Sequence, residues 1–215
     1  MMHPLSGFLP SRACPQRVAP ARPLLAALVA LTLSACGSAP TPQWSPGEAR
    51  VESYDTAYHQ WTREGVHYNQ LDAKATAYAT YLSPSFMAAL VDHQAEVEAL
   101  TSSARQARRT AAVGEAEAKA QFMLSISTQE MQWDDLDLPN NTLRVVLLEG
   151  DKEVKYSELR RLGRREATVM RIYYPHFSPL TNAYVVTFPA PTNPKDVTLR
   201  IAGPPGHIDL RWKSR

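Results

Sequence analysis

Between residues 71 and 82, apolar and polar side chains alternate at each step. Leu71, Ala73, Ala75, Ala77, Ala79 and Tyr81 share one parity, and Asp72, Lys74, Thr76, Tyr78 and Thr80 share the other. Period two predicts a half-buried β-strand, against the helical preference of the alanines. Ser83-Pro84 then reads as a helix start, with Ser83 as N-cap and Pro84 in the first helical position. Phe86, Leu90, His93, Val97, Leu100, Ala104 and Ala107 follow at alternating spacings of four and three, which predicts one continuous apolar stripe on a helix. Residues 111–121 either carry that helix past Gly114 or form a mobile arm.

Upstream, Val51, Tyr54, Tyr58 and Trp61 fit a helical face within residues 48–70, although Tyr, Thr, Trp and Val also suit strands. Arg63-Glu64-Gly65 reads as a turn. Downstream the pattern becomes strand-like: Phe122, Leu124 and Ile126 alternate, and residues 143–148 form an apolar run closed by Glu149-Gly150-Asp151. Ser157 is placed to cap a short helix reaching Leu162. Residues 169–173, 183–188 and 197–201 read as strands. Gly203-Pro204-Pro205-Gly206 then separates the last of these from alternating Ile208, Leu210 and Trp212, as in a hairpin. The expected fold is α+β: an antiparallel β-sandwich-like domain over residues 48–215, with a helical segment at about 84–118 packed on it or inserted.

The N-terminal 35 residues do not fit that domain. Residues 24–33 are an apolar run preceded by Arg12, Arg17 and Arg22 with no acidic residue before it, the layout of a secretory signal. A ten-residue helix covers roughly 15 Å, about half a bilayer core, so a permanent span is the poorer reading. The run ends in Leu33-Ser34-Ala35-Cys36, followed by Gly37-Ser38-Ala39-Pro40-Thr41-Pro42.

Leu33-Ser34-Ala35-Cys36 resembles the lipobox of bacterial membrane lipoproteins. The resemblance implies that Leu33, Ser34 and Ala35 are read by a signal peptidase that cuts before Cys36, whose thiol carries a diacylglyceryl group. Sulfur suits that role as the strongest side-chain nucleophile once deprotonated. Gly37, rather than Asp, after the cysteine resembles the pattern sent to the outer membrane in two-membrane cells, on its periplasmic face. Residues 37–47 then read as a flexible tether reaching at most about 35 Å.

Cleavage changes the charge. The leader takes three of the 23 Lys and Arg and none of the 21 Asp and Glu, leaving 20 against 21, or −1. A near-neutral chain carries no electrostatic footprint for nucleic acid. Cys14 leaves with the leader and Cys36 is acylated, so no disulfide or cysteine metal site is expected. The expected partners are the membrane, through acyl chains on Cys36, and an envelope protein.

Candidate chemistry is sparse. His59, His67, His93, His176 and His207 are scattered without metal-ligand spacing, and His93 sits on the apolar stripe as a core histidine. The acidic run Trp133-Asp134-Asp135-Leu136-Asp137 lacks the glycine and distal Glu of a calcium loop, and reads as a turn with Trp133 over the core. Arg105, Arg108 and Arg109 read as a solvated helix end or a site for lipid phosphates. No G-x-S-x-G, S-x-x-K or phosphate-binding glycine loop occurs, so no catalytic residue, metal or cofactor is assigned. Tyr173, Tyr174, His176 and Phe177 are the one candidate binding edge, with aromatics closing an end of the sandwich as the alternative. The expected function is a non-enzymatic, lipid-anchored interaction or assembly module. The alternatives are a lipoprotein holding lipid or glycan between sheet and helix, then a hydrolase with an unrecognised site.

Overall fold

A computed structural model describes residues 53–213 except 131, 132, 134, 151, 195 and 205. The expected signal sequence over residues 1–35, the lipobox-like residues Leu33, Ser34, Ala35 and Cys36, and the expected tether over residues 37–47 lie outside the described residues. In chain order the elements are α1 (Tyr54–Trp61), β1 (Thr62–Asn69), β2 (Asp72–Tyr81), α2 (Pro84–Val97), α3 (Ser102–Ala118), β3 (Lys119–Thr128), β4 (Arg144–Glu149), β5 (Lys152–Lys155), β6 (Glu158–Arg161), α4 (Arg164–Met170), β7 (Asn182–Pro189), β8 (Asp196–Gly203) and β9 (Gly206–Lys213).

The fold is α+β with two antiparallel sheets, ordered β1-β2-β3-β7-β6 and β5-β4-β8-β9. The inner faces of both sheets enclose the main core. Ala75, Ala77, Ala79 and Tyr81 of β2, Phe122, Leu124 and Ile126 of β3, and Tyr184, Val186 and Phe188 of β7 meet Val145 and Leu147 of β4, Leu199 and Ile201 of β8, and Leu210 and Trp212 of β9. The small alanines leave room for an aromatic group in which Tyr81, Phe122 and Trp212 lie 5.0–6.0 Å apart by ring centroid. One flank is pinned by the Trp212 indole, which donates to the Trp61 carbonyl at 2.7 Å, and by Arg63 Nε, which donates to the Arg211 carbonyl at 2.9 Å.

The five-stranded sheet is covered on its second face as well. Phe86, Ala89 and Leu90 of α2, Ala57 of α1, and Leu162, Tyr174 and Phe177 pack over Met123 and Ala183. The domain therefore has three layers: helices, five-stranded sheet, four-stranded sheet.

The strand at 72–81 and the Ser83 cap agree with the sequence reading; Ser83 Oγ accepts from the Phe86 amide at 3.2 Å. Four local readings are corrected. Residues 54–61 are helix, but Arg63-Glu64-Gly65 lies inside β1 rather than in a turn. A Cβ on Gly65 would stand 2.3 Å from Ile208 Cγ2, so glycine there serves close approach of β9. The turn falls instead at Gln70, with φ of 58°. The stripe after Ser83 is two helices: Ala99 takes φ of 51° and ends α2, and Thr101 Oγ1 accepts from the Ala104 amide at 3.3 Å to cap α3. Residues 158–161 form β6 where a helix after Ser157 was expected, and residues 169–173 end α4 and turn where a strand was expected.

Candidate functional site

After α4, residues 171–181 turn back across the helix-covered face of the five-stranded sheet. Pro175 is exposed, while Tyr174 and Phe177 are 3% and 2% exposed. Tyr173 is half-buried, and its carbonyl accepts from the Tyr54 hydroxyl of α1. Tyr173, Tyr174, His176 and Phe177 are thus brought together: Tyr174 and Phe177 pack inward beneath the helices, and Tyr173 and His176 are half-buried. Side-chain size decides this: the segment lies over Met123 and Ala183, where large aromatic groups fill the layer.

His176 sits in a polar cluster within this layer. Thr80 on β2 and Ser125 on β3 point to the same face and are both fully buried. Nε2 of His176 lies 3.1 Å from Thr80 Oγ1, and Nδ1 lies 2.9 Å from Ser125 Oγ. Ser125 also donates its only hydroxyl proton to the His176 carbonyl at 3.2 Å. The Ser125 oxygen must then accept from Nδ1–H, which leaves Nε2 to accept from Thr80. Thr80 in turn lies 2.8 Å from Thr62 Oγ1, and the Tyr58 ring stacks beside the imidazole with centroids 6.4 Å apart. Burial lowers the imidazole pKa to about 3, so the ring is neutral across the physiological range.

A serine beside a histidine invites a catalytic reading, and the geometry argues against one. The Ser125 oxygen has no path to solvent, its proton is committed to a carbonyl, and an imidazole with so low a pKa is a poor base at neutral pH. The cluster is a clamp that locks residues 174–177 onto the sheet.

Other polar groups are likewise engaged. Arg105 and Arg109 of α3 reach the buried Asp92 of α2 at 2.7 and 3.2 Å, and Arg108 meets Glu98 at 2.7 Å. That corrects the reading of these arginines as a solvated end or a lipid site: α3 folds back on α2, and they join the two helices. In the acidic loop, Asp135 accepts from the Thr142 and Leu143 amides at 2.6 and 3.3 Å. Burial acts to raise its pKa, and these hydrogen bonds outweigh it and hold the carboxylate low. Trp133 packs against the main core, while Asp134 lies outside the described residues. His93 is half-buried and stacks on Tyr54 at 4.8 Å.

Two open grooves stand out among the described residues. One crosses the outer face of the four-stranded sheet, where Arg200 holds Asp209 through two bonds of 2.7 and 2.8 Å, depressing the Asp209 carboxyl to about 2. The other, of about 430 Å³, runs between α4 and the 177–183 segment and is lined by Arg161, Arg164 and Arg171. Sequence reasoning passed over these arginines because they are spread over two elements and a turn. Among the described residues, no group of three or more His, Cys, Asp or Glu converges on a possible metal, and no helix is long and apolar enough to cross a membrane.

The fold and its clamp define a three-layer α+β domain built on two antiparallel sheets. No family model, curated protein or solved structure matches the chain.

Proposed function

We propose that this is a lipid-anchored envelope protein whose folded domain is a non-enzymatic interaction or assembly module. The observation that carries the reading is Leu33-Ser34-Ala35-Cys36 at the junction of a short apolar run and a Pro/Ser/Thr tether. Acylated Cys36 holds the membrane; with Gly37 following it, the destination in a two-membrane cell is the periplasmic face of the outer membrane. Two or three acyl chains make attachment effectively permanent, since each buried CH₂ contributes about 0.8 kcal/mol.

Helix α3 supports the module half of the reading. None of its 17 residues is buried, and Ala104, Ala107, Ala111, Gly114 and Ala118 line one exposed, uncharged face. Small side chains permit close approach of a partner element. The reading of a lipid or glycan held between helix and sheet gains less support: Phe86 and Leu90 are packed solid, and the opening beneath α3 is about 20 Å³.

Intact mass and membrane fractionation of the wild type beside Cys36→Ala test the anchor. Acyl mass and membrane association should appear in the wild type and vanish in the variant; identical soluble behaviour of both would overturn it. A photo-crosslinking residue at Ala107 or Ala111 in living cells tests the module. A discrete adduct with an envelope protein is expected, and none at either position would sink the idea.

A further inference from the structure

The groove beside α4 has a chemistry that its neighbours do not neutralise. Residues 158–172 hold five arginines against two glutamates, in a chain whose mature form is near neutral. Glu166 is taken up by Arg160 through two bonds of 2.9 Å, and Arg161 has only Asp137 at 3.8 Å and the Asn182 amide oxygen. The guanidiniums of Arg164, Arg165 and Arg171 make no ion pair among the described residues and are exposed. Arg164, Thr168 and Arg171 fall on one face of α4 and its following turn and line the groove together with Arg161, Ser178 and Thr181.

The rim carries two exposed apolar side chains: Ile172, next to the lining residue Arg171, and Leu180, between the lining residues Pro179 and Thr181, are 72% and 88% exposed. Leu180 is also held out rigidly. Its amide donates to Ser178 Oγ at 3.2 Å, and the Thr181 amide and hydroxyl both donate to the Ser178 carbonyl at 3.1 Å, which fixes the turn. Unpaired arginines meet phosphate oxygens with directed N–H bonds, whereas exposed branched side chains beside them gain by leaving water. A bilayer interface bearing anionic headgroups satisfies both at once.

We propose that this groove and its rim form a second, non-covalent membrane contact. Arg161, Arg164 and Arg171 bind the phosphate of an anionic lipid headgroup, and Ile172 and Leu180 enter the interfacial layer. The inference rests on the lipid-anchored reading only for bringing a membrane within reach; the surface itself stands on its own geometry. Such a contact would orient the domain on the bilayer instead of leaving it to swing on its tether.

The test is amide hydrogen exchange of the purified full chain with vesicles of phosphatidylcholine, alone or mixed with phosphatidylglycerol, and with inorganic phosphate. Slowed exchange over residues 164–181 is expected with the phosphatidylglycerol vesicles alone, and should be lost at high salt. Arg164→Gln with Arg171→Gln, and separately Leu180→Ser, should each lose that protection while β3 and β7 exchange as before, showing that the fold is intact. Acyl mass on Cys36 is read on the same sample. An acylated chain that sits on both vesicle types without extra protection at 164–181 keeps the anchor and overturns the contact. An unacylated chain protected there on phosphatidylglycerol overturns the anchor and keeps the contact. No protection on either vesicle, or equal protection by inorganic phosphate without vesicles, overturns the membrane contact, the last in favour of a soluble anion.

Discussion

His176 shows what one residue can hold in place and how pH reaches it. Its folded pKa of about 3 lies far below the ordinary histidine value of about 6.5, so the unfolded chain binds a proton across that interval and the folded chain does not. The stabilising contribution is therefore complete above pH about 6.5 and declines as pH falls toward 3, by up to roughly 5 kcal/mol. His176→Gln should flatten the pH dependence of the unfolding free energy between about 6.5 and 4, above the range where carboxylates dominate. It should also lower stability at neutral pH by about 1–3 kcal/mol, because Thr80 and Ser125 stay buried with poorer partners. Urea titrations at stepped pH read both effects, and an unchanged slope in the variant would refute the clamp as the source. Nothing in the residue order around His176 discloses this role. The partners Thr80 and Ser125 lie 96 and 51 residues away, and only the register of β2 on β3 places them together.

At the scale of elements, Asp92 ties α2 to α3. Asp92 is 2% exposed and accepts from two arginines of a helix that has no buried residue of its own. Asp92→Asn keeps the shape and removes the charge, at a cost of about 1–3 kcal/mol, less than for a fully buried pair because both guanidiniums can turn to water. The expected sign is local: trypsin should cut faster at Arg105, Arg108 and Arg109 while the sheets keep their protection. Equal cutting of both proteins would show that α3 is held by other contacts. This hairpin also marks where sequence pattern succeeds and fails. The strand at 72–81 was legible because its alternation coincides with burial of Ala75, Ala77 and Ala79. The break at Ala99 was not, because the four-three spacing runs on through Leu100, Ala104 and Ala107 as if the helix continued. The signal that would have found it is Thr101-Ser102-Ser103, a second N-cap like the one at Ser83. Residues 158–173 were exchanged between strand and helix for a related reason. Four residues paired to β7 carry too short a pattern to reveal their partner, and in α4 the exposed Val169 imitates a strand.

For the whole molecule, the position of sulfur separates the fold from the proposed anchor. Both cysteines, Cys14 and Cys36, precede residue 53, so the two sheets and their helices stand without a disulfide. The stabilising weight falls on two apolar layers that share the five-stranded sheet: Phe122 and Leu124 on the sandwich side, with Met123 between them facing the helices. A domain held in this way should melt at the same temperature with and without reductant. On the lipid-anchored reading proposed above, wild type and Cys36→Ala should also melt at the same temperature in detergent while fractionating differently in cells. Calorimetry in matched detergent reads this directly. A lower melting temperature for Cys36→Ala would mean that the acylated end contributes to the fold, and a lower one in reductant would mean that a thiol outside the described residues had been paired. Equal values would show that the fold does not depend on Cys36. The orientation of the domain on the membrane would then rest on its own surface, where Arg164, Arg171 and Leu180 are exposed.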